Sequence, residues 1–201
     1  EAMRQFIKQA GGNATWDRLA EYLDETAKGK DTFVINRSFA APIEQVFALW
    51  TDPQHLARWL PPTGFQMEIR RGDIREGGSC FFQMSNQSDV SFFGVFEYRE
   101  VRRPHRIVYV QRFCDETESV AVHPGFPVFP AELLTTIDFV SEGDDATRVT
   151  VVTEPMGVVA SDEAAAFRDE RGGMTQGWTG SFDRLETEIN NVSESVVPHS
   201  N

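Results

Sequence analysis

The sequence predicts an α+β domain: a curved antiparallel sheet of about seven strands wrapped around one long C-terminal helix, with two short helices after the first strand. Three observations carry that expectation. Between residues 65 and 113, four runs alternate apolar and polar residues at a spacing of two, and short turns join them, which favours an antiparallel meander over crossovers. Directly after the first alternating run, Pro42 and Pro53 each open a short stretch of helical apolar spacing. The segment 161–190 then repeats apolar residues at helical intervals. A sheet with one apolar face needs a cover, and this helix is the element long enough to supply one.

Taken in order, Trp16, Leu19 and Leu23 predict a helix over 13–29, capped by Asn13 or Thr15 and stopped at Gly29. Residues 1–31 are therefore read as an N-terminal helical extension, 32–190 as the domain and 191–201 as a polar, frayed tail. Phe33, Ile35 and Phe39 mark the first strand, with Arg37 on the same face. Ile43, Val46, Phe47 and Trp50 form one helix; Leu56 and Trp59 form the second, ended by Pro61-Pro62. The meander strands carry Phe65, Met67 and Ile69; Cys80, Phe82 and Met84; Val90, Phe92, Phe96 and Tyr98; and Ile107, Tyr109 and Phe113. Pro124, Pro127 and Pro130 make 115–130 a loop, after which Leu133, Ile137 and Phe139 pair with Val149 and Val151 as a final hairpin. In the last helix, Ser161-Asp162-Glu163 reads as the cap, and Met174, Trp178, Phe182, Leu185 and Ile189 as the apolar stripe.

Composition narrows the function. A net charge of −12 over 201 residues argues against phosphate-backbone binding and against an anionic membrane surface. No window approaches the length of an apolar membrane span, and Glu1-Ala2-Met3-Arg4 lacks a signal peptide's basic-then-apolar layout, so a cytoplasmic protein is expected. Cys80 and Cys114 read as two reduced thiols rather than a disulfide framework. His55, His105, His123 and His199 are scattered without metal-ligand spacing, and no nucleophile elbow, Walker loop or dinucleotide fingerprint occurs. No catalytic residue, metal or cofactor is expected.

Two features break the structural pattern. Gly172, Gly173, Gly177 and Gly180 fall inside the long helical segment, where each costs up to about 1 kcal/mol relative to Ala. Either the helix begins only near Met174, or the glycines allow tight packing against the sheet, or they form the wall of a ligand site. Arg37, Gln111 and Thr135 share parity with apolar neighbours, so each points inward, lining a cavity or sitting at a strand end near solvent. His123-Pro124-Gly125-Phe126-Pro127 reads either as a gate near a cavity mouth or as a structured surface loop.

Arg37-Ser38-Phe39-Ala40-Ala41-Pro42, the run Val46 to Pro53, Leu56-Ala57-Arg58-Trp59, Gly77-Gly78 and the run Gly172 to Trp178 resemble the homologues of the activator of heat shock protein 90 ATPase. That family sits in the START-like, helix-grip (SRPBCC) superfamily, and the resemblance covers about residues 32–190. It implies a seven-stranded sheet around the C-terminal helix and a hydrophobic cavity between them, in a superfamily whose members bind lipids, sterols, polyketides or hormones. Phe6, Gly11-Gly12 and Trp16-Asp17-Arg18-Leu19 also look like a shortened copy of Phe167, Gly172-Gly173 and Phe182-Asp183-Arg184-Leu185. This is either coincidence between amphipathic helices or a relic of a second domain's helix that packs on a neighbouring surface or mediates a homodimer.

The expected function is binding of a small hydrophobic or aromatic ligand between sheet and helix. Trp59, Phe82, Phe96, Tyr109, Met174 and Trp178 would touch it, and Gln111 or Arg37 would orient it. Two other readings stand beside this one. An enzyme, a cyclase, dehydratase or hydrolase, would use the same cavity. A protein-interaction module would stimulate a chaperone ATPase, although the short N-terminal extension is no separate chaperone-binding domain and a chaperone partner is not expected.

Overall fold

The computed structural model describes residues 31–88 and 90–196, so the helix expected over 13–29 and its likeness to the C-terminal helix lie outside the described residues. The alternation in Phe33, Ile35, Arg37 and Phe39 becomes β1 (Phe33–Phe39), whose side chains are buried at every second position. The chain continues through α1 (Ile43–Thr51) and α2 (Pro53–Trp59) to β2 (Phe65–Gly72), β3 (Ser79–Asn86), β4 (Ser91–Arg102) and β5 (Arg106–Cys114). It ends with β6 (Glu132–Ser141), β7 (Thr147–Pro155) and α3 (Ser161–Val196).

All seven strands form one antiparallel sheet in the order β1-β7-β6-β5-β4-β3-β2. Register slips at Ile69/Arg71 and at Tyr98/Glu100 insert bulges near one end of the sheet. Bulges bend a strand and sharpen its twist, which suits a sheet that must curl around a helix. The inner face carries Phe33, Ile35, Phe39, Ile137, Phe139, Val149 and Val151, all buried in one core with Phe167, Phe182, Leu185 and Ile189 of α3.

Asp52 divides α1 from α2. Its backbone N–H donates to the Ala48 carbonyl and closes α1, while its carboxylate accepts from the N–H groups of Gln54 and His55 and opens α2, where Pro53 occupies the first turn. The two short helices are then bolted to α3. The Ser181 hydroxyl donates to the Leu60 carbonyl at 2.6 Å, Arg184 donates to the carbonyls of Pro61 and Phe65, and the buried Glu188 carboxylate receives both His55 and Arg58.

α3 is one continuous helix through Gly172 and Gly173, which overturns the break near Met174. It also runs to Val196, beyond the expected end at 190. Ser161 is its first helical residue rather than its cap, and the Glu163 carboxylate reaches back to the Ala160 N–H at 2.9 Å. Gly180 answers to packing: a β-carbon there would stand 2.5 Å from the Thr63 hydroxyl oxygen, so the helix and the 61–64 segment approach only because it has none.

Candidate functional site

A cavity of about 270 Å³ opens between the inner face of the sheet and α3. Phe82 and Met84 of β3, Phe92 and Phe96 of β4, and Tyr109, Gln111 and Phe113 of β5 form its sheet wall. The wall on α3 is the stripe Glu170, Gly173, Met174, Gly177, Trp178 and Ser181, at helical spacing. The missing side chain at Gly177 leaves room there, since a β-carbon would meet only Pro62, at 3.8 Å, whereas the place of a β-carbon at Gly173 is taken by the Glu170 carboxylate. Two of the expected wall glycines thus face the cavity, whereas Gly180 serves packing and Gly172 has nothing near it.

The third wall is the loop between β5 and β6. His123 wedges its ring between Phe92 (4.4 Å), Phe113 (4.6 Å) and Phe126 (4.7 Å), and Phe126 continues to Phe129 at 5.3 Å. The sequence leaves this segment open between a gate near a cavity mouth and a structured surface loop; here its His123, Phe126 and Phe129 rings line the cavity. Burial holds the His123 imidazole below its ordinary range, so it is neutral around pH 7. The Gly125 N–H donates to Nδ1 at 3.0 Å, which puts the ring proton on Nε2 and makes that nitrogen a donor.

The polar groups on the sheet side are graded. The Thr135 and Thr153 hydroxyls bond each other at 3.1 Å, deep in the cavity. Burial pushes the Tyr109 phenol well above the usual range, and the neighbouring Thr135 hydroxyl offsets only part of that, so Tyr109 stays protonated. The Gln111 amide has no hydrogen-bond partner among the described residues and is free to meet a guest.

Six of the eight residues expected at the site come together here: Phe82, Phe96, Tyr109, Gln111, Met174 and Trp178. The other two do not line the cavity. Trp59 is fully buried, with its indole N–H donating to the Leu49 carbonyl at 2.9 Å and its ring against Trp50 at 4.5 Å, so it fills the core between α1 and α2. Trp50 in turn stacks on the cavity residue Trp178. Arg37 is spoken for by α3: it donates to Asp183 at 2.6 Å and lies over the Phe182 ring, on the part of the sheet away from the cavity. Glu170 also lines the cavity and is not among the residues expected there, since a charged side chain carries no apolar period.

Known proteins share this architecture. The crystal structure of a Chromobacterium violaceum protein matches with a TM-score of 0.60 and 23% identity, over 78% of this chain and 96% of that one. The solution structure of an Arthrobacter aurescens protein matches with a TM-score of 0.66 and 19% identity, over 85% and 92%. The crystal structure of the AHSA1 protein of Silicibacter pomeroyi matches with a TM-score of 0.60 and 18% identity, over 79% and 97%. At such identities the likeness establishes the fold. No curated protein matches the chain. Residues 40–190 match the family model for Activator of Hsp90 ATPase homolog 1-like protein. With that match over most of its length and the helix-grip architecture behind it, the chain belongs to the Activator of Hsp90 ATPase homolog 1-like family.

Proposed function

We propose that the protein binds a small hydrophobic or aromatic molecule in the cavity between the sheet and α3. The observation that carries this is the combination of an open chamber of about 270 Å³, walls that are mostly aromatic and aliphatic, and a Gln111 amide left without a partner among the described residues. Covering roughly 150 Å² of a guest's apolar surface is worth about 4 kcal/mol at about 25 cal/mol per Å². The costs of association reduce that figure, so the affinity rests on fit and on the polar contacts. Gln111 offers both a donor and an acceptor, and His123 Nε2–H and the Tyr109 phenol add donors.

Binding is favoured over catalysis because neither His123 nor Glu170, two lining groups capable of proton transfer, holds a nucleophile by a hydrogen bond among the described residues. Buried free thiols at Cys80 and Cys114 support a reducing compartment, and burial pushes the Cys80 thiol up to about 12, out of reactive range.

Isothermal titration calorimetry with naphthylmethanol, a neutral aromatic probe, tests the reading. Saturable one-to-one binding with a negative heat-capacity change is expected. A probe that releases no heat, together with native mass spectra showing no retained small molecule, would refute it.

A further inference from the structure

Among the described residues that line the cavity, Glu170 is the one with a formal charge, and none is Lys or Arg. Its carboxylate makes no ion pair or hydrogen bond with any described side chain. It folds over the bare Cα of Gly173, with Oε1 2.0 Å from where a β-carbon would stand. A helix surface offers this resting place only at glycine, so Gly173 fixes the carboxylate against the chamber wall. One helical turn earlier, Phe167 packs on Phe129 at 6.0 Å, and Phe129 packs on Phe126. The end of the cavity that holds the carboxylate is therefore also bordered by aromatic rings of the loop.

Such a site treats guests of one shape and different charge unequally. An anionic head group finds no cation and meets a like charge. A neutral hydroxyl head group can donate one hydrogen bond to Glu170 but gains no charge attraction from it. An ammonium group gains the carboxylate and the faces of the neighbouring rings, and the net charge of −12 draws cations toward the protein from a distance.

Building on the binding reading above, we propose that the cavity selects protonated amines carried on an aromatic or aliphatic body. The body fills the chamber between Phe82, Phe96 and Trp178, the ammonium pairs with Glu170, and carboxylate-bearing molecules of the same shape are disfavoured.

A matched series tests it: naphthylmethylamine, naphthylmethanol and naphthoate, substituted at the same ring position and titrated by calorimetry at neutral pH into the full chain. The amine is expected to bind about five- to tenfold tighter than the alcohol, with naphthoate weakest. That preference shrinks with added salt. In Glu170→Gln the amine-to-alcohol ratio falls to about one. Asp169→Asn, which removes the same charge from the exposed neighbouring position, leaves the ratio as in the parent chain. An amine no tighter than the alcohol, a ratio that survives Glu170→Gln, or naphthoate binding tightest overturns the proposal. If the alcohol binds the parent chain and only the ratio fails, charge selection falls and the binding reading stands; if the alcohol itself does not bind, both fall.

Discussion

The far end of the Phe82 ring lies over Gly94, its register partner on β4, with Cζ 2.4 Å from the place a β-carbon would occupy. The glycine lets the ring settle against Phe96 at 4.7 Å and form the cavity floor. Gly94→Ala must push that ring into the chamber or shift the strand. The expected loss is about 1–3 kcal/mol, as for overpacked cores, read from the midpoint of urea unfolding.

Two glycines of α3 should respond with opposite signs. Gly172→Ala places a methyl group where nothing lies within 4 Å, so the gain in helix propensity is about 1 kcal/mol, or roughly 2–4 °C in a chain of this size. Gly180→Ala drives a methyl group against Thr63 and is expected to lower the melting temperature instead. Differential scanning calorimetry of the two variants checks both signs.

Acid stability should depend on Glu188. Burial alone would raise its carboxyl, but the bonds from His55 and Arg58 and their charges outweigh burial and hold it below the usual range. A folded value below the unfolded value of about 4.3 means that the unfolded chain takes up the proton first. The stabilisation is complete above that value and is lost as pH falls through the lower folded value. Melting temperatures from pH 6 down to about pH 3 should therefore drop more steeply in the parent chain than in Glu188→Gln, which starts lower.

Arg37 holds Asp183 and lies outside the cavity. Arg37→Met is expected to leave the affinity for naphthylmethanol within about twofold of the parent, since no group touching the guest changes. A much larger loss would show that β1 contributes to the site after all.

Periodicity made the scaffold legible. Spacing of two located every strand, and the covering helix followed from the need to bury the inner face. Parity also put Arg37 on that face, but it cannot say which inward residue meets the helix and which meets the void; that is decided by Asp183, distant in sequence. Trp59 had the right helical face as well, and the Leu49 carbonyl turned it into the core. His123, Phe126 and Phe129 sit in a loop with no period, so only the flanking prolines hinted at them. Of the readings open for Gly172-Gly173, a break fails because packing of Phe167 and Phe182 on the core holds the helix through a poor local sequence.

The central claim is that the space beside Gly177 receives a guest. A side chain added there starts in ordinary contact with Pro62 alone, so Gly177→Phe fills the chamber from the helix side without a backbone clash. Calorimetric titration of this variant with naphthylmethanol, beside its melting curve, is the most direct measurement. The account predicts an unchanged or higher melting temperature and an affinity reduced at least about tenfold. A folded variant that binds the probe as tightly as the parent chain would contradict it.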